Sequence, residues 1–291
     1  MLKGRLGLEG GRVPHADRHG LMWLGRGNLT VESGTLRFIT AGYGDLAAGD
    51  YAIPYQTVSC FVVQPGSTVS HDALRILARH GCGVVFAGND GVRFYASLPA
   101  GPDASARARR QALVWADKDE RIRLARRMYA WRLGEVVPHA DLNTLRGIEG
   151  SRMKATYRRL AEQYGIVWKG RRYDRGRPQS ADLANQAINH ASSAVEGAAL
   201  TAVAAAGAIP QLGFIHEDPG ASFALDISDL FRDRILLPVA FGSARHIRKT
   251  KQGPVERVVR KRAGEIFRQE QVVTQMIDRI KDLLDDDRRN P

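Results

Sequence analysis

The chain has 291 residues, of which 44% are hydrophobic, so it is long enough for two domains and too apolar to be disordered. No apolar run reaches the roughly 18 residues that a membrane span needs, and the first residues lack the apolar core of a secretory signal. We therefore expect no membrane association and a cytoplasmic location. Cys60 and Cys82 lie in apolar contexts, which predicts buried free thiols in a reducing compartment.

The charge balance is strongly basic. Lys and Arg number 43 against 31 Asp and Glu, a net charge of +12. The basic residues are concentrated in four segments, at positions 107–110, 121–132, 152–177 and 245–262. Clustering favours a polyanionic partner, nucleic acid above all, over a general role in solubility.

The first 95 or so residues have the pattern of short strands separated by turns. Strands are predicted at 22–24, 29–32, 35–40, 58–63, 83–87 and 92–96. Ser70 is a candidate N-cap for a helix that Gly81 ends. The Asn89–Gly91 turn is suited to a hairpin.

A Pro/Gly/Ser-rich segment at 97–106 is typical of a linker, and the pattern beyond it is helical. Helices are predicted near 104–135, 141–164, 180–206, 224–241 and 254–284. The third is rich in small residues, which indicates a central helix against which others pack. The sequence thus predicts an α+β protein, with a small β-rich N-terminal domain (1–96), the linker (97–106) and an all-helical catalytic C-terminal domain (107–291).

Residues 145–174 contain one carboxylate, Glu149, whose predicted inward-facing position requires a functional or a structural explanation. Glu149 lies between Gly147 and Gly150, on the apolar line of the predicted helix, and an inward-facing carboxylate is costly unless something pairs with it. Pairing with Arg146 or Arg152 is the simple structural explanation. The two glycines remove side chains beside Glu149, so a ligand backbone could also approach.

Residues 213–233 place His216 one short loop before Asp226 and Asp229, which are i, i+3 on a predicted helix. With Glu149 they form a Glu/His/Asp set from separate segments. Oxygen ligands with one imidazole suit Mg²⁺ or Mn²⁺, and phosphodiester chemistry needs such an ion. Taken singly, Asp226 favouring a helix N-terminus and His216 as a core histidine are the simpler explanations. The basic surface favours a metal site.

These motifs resemble the CRISPR-associated integrase, the catalytic subunit of the CRISPR adaptation complex, of the type I-E subfamily. The resemblance covers nearly the whole chain and is strongest in LRGIEGSRMKATYRRLAEQYGIVWKGRRYD and GFIHEDPGASFALDISDL, with PGSTVSHDALRILARHG and GVRFYAS in support. It implies a homodimer, two of which flank a dimer of a small ferredoxin-like adaptation subunit in a hetero-hexameric complex. It also implies that 3′-hydroxyls of a prespacer DNA attack the CRISPR repeat by metal-dependent transesterification.

The resemblance also assigns residues. It implies that Glu149, His216 and Asp229 bind the metal, and Asp226 matches the earlier aspartate of the pair. The positions at which relatives contact DNA are matched by Arg75, Arg93, Arg257 and Arg260. Without the resemblance, these four arginines are weak candidates for phosphate contact.

Some positions depart from the family pattern. Arg26 stands where relatives have a tyrosine that brackets the duplex, and Thr68 replaces an arginine. Glu196 replaces an active-site tyrosine, and the turn that follows His216 differs from that of relatives. We expect Arg26 to contact the DNA end, with Gly25 and Gly27 leaving its side chain free to project; a solvated turn arginine is the alternative. Two other functions remain open: a metal-dependent endonuclease on branched or single-stranded DNA, and a non-catalytic DNA-binding scaffold.

Overall fold

The structure is a computed structural model that describes residues 19–97, 105–136, 141–172, 181–217 and 220–285. Its strands all precede residue 98 and helices follow, which is the predicted α+β arrangement. The first part contains β1 (His19–Leu24), β2 (Gly27–Glu32), β3 (Thr35–Thr40), β4 (Gly49–Ala52), β5 (Val58–Val63), β6 (Thr68–Val69), α1 (His71–Arg79), β7 (Gly83–Ala87) and β8 (Phe94–Ser97).

These strands form two four-stranded sheets. One has the order β1-β5-β7-β8, parallel except for the β7–β8 hairpin, and the other has the order β4-β3-β2-β6. Ser70 caps α1 by accepting the N–H of Ala73 at 3.2 Å, as its position predicted. The predicted strand at 92–96 begins later, at Phe94, because residues 89–91 form a 3₁₀ turn in which Asp90 has φ = 57°.

The helical part contains α2 (Ser105–Ala116), α3 (Lys118–Leu133), α4 (Leu142–Gln163), α5 (Leu183–Ala206), α6 (Ser222–Asp229), α7 (Leu237–Thr250), α8 (Val255–Gln269) and α9 (Val272–Leu284). A π-helical turn (Arg232–Leu236) joins α6 to α7. As predicted from its small residues, α5 is central and packs against α6, α7, α8 and α9. Within the described ranges, none of the helices has the length and apolar character that a bilayer crossing requires.

Three predicted helices are interrupted in the structure. The helix at 104–135 breaks at Asp117, whose carboxylate caps α3 by accepting the N–H groups of Asp119 and Glu120. The helix at 254–284 breaks at Gln271, which has φ = 51°. The prediction at 224–241 merges the end of α6, the π-helical turn and the start of α7. Because Ser105 already begins α2, the predicted linker is helical at its end, while residues 98–104 lie outside the described ranges.

The first part packs against the helical core. Val92 belongs to the helical core cluster, and Leu21 and Trp23 pack against it. Gly197 on α5 allows this approach, because a Cβ there would lie 2.8 Å from the Cα of Arg93. Cys60 and Cys82 are both buried thiols that form no disulfide, as predicted.

Candidate active site

The loop between α5 and α6 that carries His216 is held from its N–H side by Asp226. One carboxylate oxygen of Asp226 accepts the N–H groups of Phe214 at 2.6 Å and Ile215 at 3.0 Å. The other accepts the N–H of His216 at 3.0 Å and lies 2.6 Å from its Nδ1. Asp226 is 1% exposed and lies beyond the first turn of α6, so its carboxylate serves this loop and not the N-terminus of the helix.

Two arginines hold the carbonyl side of the same loop. Arg121 of α3 donates through Nε to the carbonyl of Phe214 at 3.2 Å, and Arg146 of α4 donates to the carbonyl of Ile215 at 2.6 Å. Gly213 permits the tight chain path, because a Cβ there would lie 2.5 Å from the carbonyl oxygen of His216. The position of His216 is therefore fixed by three helices together.

Glu149 of α4 and Asp229 of α6 are joined by a third residue, Arg132 of α3. The Nη1 atom of Arg132 lies 2.7 Å from Oε1 of Glu149 and 3.3 Å from Oδ2 of Asp229. The other oxygen of Asp229 pairs with Arg232 at 2.7 Å. The side chains of three of these four residues are largely buried, with exposed fractions of 6% for Arg132, 18% for Glu149 and 15% for Asp229. Arg232 is more exposed.

Sequence reasoning missed Arg132. The structural alternative named Arg146 or Arg152 as the partner of Glu149, but Arg146 binds the His216 loop and Arg152 pairs with Glu135. Arg132 is the last member of the basic run 121–132, and no motif distinguishes it there. Arg132 faces Glu149 because the C-terminal end of α3 packs against α4, which the sequence pattern does not show.

Three carboxylates affect the pKa of His216. Its hydrogen bond with Asp226 raises the pKa of the imidazole, burial opposes that rise, and the negative charges of Asp226, Asp229 and Glu149 add to it. Glu149, Asp229 and His216 therefore share one electrostatic environment, although they come from α4, α6 and the loop before α6.

The donors match the predicted metal in type. Two carboxylates and one imidazole suit Mg²⁺ or Mn²⁺, and with Nδ1 facing Asp226 the remaining ring nitrogen, Nε2, is the one left for a ligand. Across the part of the chain that the structure describes, no three His, Cys, Asp or Glu side chains are already gathered as a metal-binding set. The guanidinium of Arg132 joins the two carboxylates.

Three of the predicted DNA-contacting arginines line one cleft. Arg93, from the first part of the chain, and Arg257 and Arg260 of α8 border a cleft of about 430 Å³ that also includes Lys261 and Arg268. We call it the basic cleft. Two carboxylates, Asp90 and Glu265, lie among its lining residues.

Glu256 at the start of α8 occupies two of these arginines. Its Oε1 forms a close ion pair with Nη2 of Arg93 and lies 3.4 Å from Nη2 of Arg260. The pair with Arg93 joins the N-terminal part to α8. Glu256 also borders a neighbouring cavity of about 290 Å³ together with His190 and Glu196, and burial raises the pKa of Glu196.

The other two predicted DNA-binding residues lie elsewhere. Arg75 on α1 pairs with Asp72 at 3.1 Å and is not among the residues that line the basic cleft. Arg26 is exposed, in the turn between β1 and β2, with φ = 40°. Gly25 beside it also has a packing role, because a Cβ there would lie 2.2 Å from the ring of Tyr43.

A strand-rich first part, a helical second part and converging carboxylates beside a histidine define an α+β protein with an acidic candidate active site. The family model "CRISPR associated protein Cas1" matches residues 21–137 and 129–253. The chain belongs to the Cas1 family, as the sequence motifs indicated.

Relatives of known sequence and structure agree. The chain is 37% identical to "CRISPR-associated endonuclease Cas1" of Escherichia coli (strain K12) over 273 residues, 94% of this chain and 87% of that protein. It is 35% identical to the protein of the same name from Geobacter sulfurreducens, over 94% of this chain and 86% of that one. The "Crystal structure of TtCas1-DNA complex" superposes with a TM-score of 0.82 at 30% identity, covering 93% and 97% of the two chains.

Proposed function

We propose that this chain is a metal-dependent DNA integrase of CRISPR adaptation. It inserts prespacer DNA into the CRISPR array by attack of a 3′-hydroxyl on a phosphodiester of the repeat. The observation that carries the proposal is the convergence of Glu149 and Asp229 on the buried guanidinium of Arg132, with His216 held on the loop that leads into the helix of Asp229. Buried carboxylates are costly, and a set that draws from separate helices is typical of a site for a divalent cation.

The residues of the chain each have a part in this chemistry. Glu149, Asp229 and Nε2 of His216 would hold Mg²⁺ or Mn²⁺, which when bound neutralises charge on the phosphate and acidifies the attacking hydroxyl. Asp226 orients His216 through Nδ1 and fixes the loop that presents it. The 3′-oxygen of the prespacer forms a bond to phosphorus, the bond to the repeat's 3′-oxygen breaks, and the proton lost by the one is gained by the other.

Several findings support DNA as the substrate. The net charge is +12, and the basic cleft gathers five cationic side chains, three of which the family resemblance assigns to DNA contact. Arginine binds phosphate in a bidentate geometry, which suits this cleft to a DNA backbone. A relative of 30% identity is described as a DNA complex. We infer that Arg26 and Arg75 contact DNA at other places.

We further propose that the chain acts as a homodimer, and that two dimers flank a dimer of the small ferredoxin-like subunit. An integration assay on supercoiled CRISPR DNA, with prespacer and Mn²⁺ and with or without that subunit, tests the proposal. We expect joined products that require the subunit. Release of fragments without joining, from the CRISPR plasmid or from branched DNA, would favour the endonuclease, and DNA binding without either product would favour a scaffold.

Three variants test the site itself. We expect Glu149→Ala, His216→Ala and Asp229→Ala each to abolish joining in Mg²⁺ or Mn²⁺ while leaving prespacer binding largely intact, because the basic cleft lies on other residues. Glu162→Ala is a matched control, since Glu162 is an exposed carboxylate on the same helix as Glu149. Near wild-type joining by any two of the three variants would contradict the assignment.

A further inference from the structure

Among the residues that the structure describes, Arg132 is the one that contacts both candidate metal-binding carboxylates. It lies in the last turn of α3, its side chain is 6% exposed, and a single nitrogen, Nη1, serves both Glu149 and Asp229. Without a cation between them, two largely buried carboxylates on different helices repel each other. The guanidinium therefore stabilises an arrangement that the carboxylates alone would resist.

The rest of the guanidinium is poorly satisfied. Its Nε and Nη2 atoms are buried and have no hydrogen-bond partner among the described residues, and Oδ1 of nearby Asp233 is in the same state. A buried donor without an acceptor costs free energy. Arg132 is thus held here by its attraction to the two carboxylates and not by a complete set of hydrogen bonds.

We propose that Arg132 is a positioning residue that substitutes for the divalent cation in the ion-free protein. It keeps Glu149 and Asp229 together, and it competes with the cation because Nη1 occupies the point at which the two carboxylates converge. A cation that binds both carboxylates displaces the guanidinium, which then has the unpaired oxygen of Asp233 as an alternative acceptor. This inference rests on the proposed metal ligands.

The test measures metal binding and stability, not catalysis. We expect Arg132→Gln, which removes the charge but keeps a hydrogen-bonding side chain, to bind Mn²⁺ about tenfold more tightly than the wild type, since a competing positive charge is gone. In EDTA we expect this variant to unfold several degrees below the wild type, and Mn²⁺ to recover most of that loss. Arg132→Met should behave alike, and Arg132→Lys should restore wild-type Mn²⁺ affinity.

Mn²⁺ titrations by electron paramagnetic resonance and thermal unfolding with and without Mn²⁺ provide these readouts. A merely structural role for Arg132 predicts the same loss of thermal stability in EDTA and in Mn²⁺, with unchanged or weaker Mn²⁺ binding, and either result would overturn the inference. So would failure of both neutral variants to fold even in millimolar Mn²⁺. Glu149→Gln separates the two proposals: if it leaves wild-type Mn²⁺ binding intact, the metal site itself is wrong.

Discussion

Asp226 and His216 form a close pair at the centre of the loop that carries the histidine, with Oδ1 of Asp226 2.6 Å from Nδ1 of His216. The same carboxylate also accepts three backbone N–H groups of the loop that carries the histidine. One buried side chain thus sets both the path of the loop and the orientation of the ring. The sequence pairs Asp226 with Asp229 at i, i+3, but the structure gives the two carboxylates different partners.

We expect Asp226→Asn to reduce both stability and joining. An amide cannot accept all four of these hydrogen bonds, and each buried N–H that loses its acceptor costs about 1–3 kcal/mol. Loss of the group that orients a metal-binding histidine typically lowers metal affinity or activity about 10- to 100-fold. The measurements are thermal unfolding and Mn²⁺ titration. Asp229→Asn is the comparison, since it should abolish joining at a smaller cost in stability; equal stability losses would contradict the distinction.

The stability of the protein should depend on pH through Glu196. Burial raises the pKa of this carboxyl, so the folded state binds a proton more readily than the unfolded state. Stability therefore falls as pH rises from the ordinary carboxyl value of 4.5 through the raised one, and it stays reduced at neutral pH. We expect Glu196→Gln to raise the unfolding temperature by a few degrees at pH 7, a gain that solvent screening reduces. At pH 4 we expect no such gain. Exposed Glu162→Gln is the control, and a pH-independent gain would contradict this origin.

Prespacer binding should depend steeply on salt, and two arginines of the basic cleft should account for part of that dependence. Each phosphate contact contributes about −0.9 to the slope of log affinity against log salt concentration. We expect the double variant Arg257→Ala, Arg260→Ala to bind prespacer more weakly across sequences and with a flatter slope. Arg37→Ala removes a charge outside the cleft, where Arg37 pairs with Asp50, and serves as the control. An unchanged slope in the double variant would place the DNA elsewhere.

Glu256 should weaken DNA binding by occupying two of these arginines. Its carboxylate pairs with Arg93 and Arg260, so a phosphate that binds there must displace it. We expect Glu256→Gln to strengthen prespacer binding about threefold to tenfold at low salt, a gain of about 1 kcal/mol. Glu265→Gln removes a charge from the same helix at the basic cleft, but Glu265 forms no ion pair with Arg93 or Arg260. Equal gains in both variants would indicate a general charge effect and not displacement.

Much of the fold follows from the sequence because its signals are local. Ser70 caps its helix with its own side chain, and the strand at Thr35–Thr40 begins and ends where the turn residues predict. Helix breaks are harder, since Asp117 is an ordinary polar residue in a helical pattern until its carboxylate turns back to cap α3. The short strand Thr68–Val69 depends on pairing with β2, far earlier in the chain, and carries no local signal. Gly49–Ala52, which was also missed, is a four-residue strand that pairs with the preceding strand β3.

The candidate site is likewise predictable from the sequence only in part. Motif spacing is enough to select Glu149, His216, Asp226 and Asp229, because few residue types suit a hard cation. Ion pairs between segments far apart in sequence are not visible in the pattern: Arg132 with Glu149 and Arg93 with Glu256 exist only because the helices pack as they do. These tertiary pairs determine which charges are available to a ligand. The roles of Arg132 and Glu256 were therefore not predicted from the sequence.

The end of the prespacer should be bracketed by Arg26, which stands where tyrosine-bearing relatives have an aromatic ring. Its exposed side chain starts from a backbone held at φ = 40°, with the carbonyl of Arg26 accepting a hydrogen bond from Thr40 at 2.8 Å, so the turn presents it in a defined direction. A guanidinium plane stacks on a terminal base pair and contacts phosphate at once. We expect Arg26→Ala to broaden the lengths of integrated spacers without abolishing joining. Arg26→Lys keeps the charge but not the plane and should broaden them partly. Sequencing of integrated products measures the distribution, and identical lengths in all three proteins would show that Arg26 is a solvated turn residue.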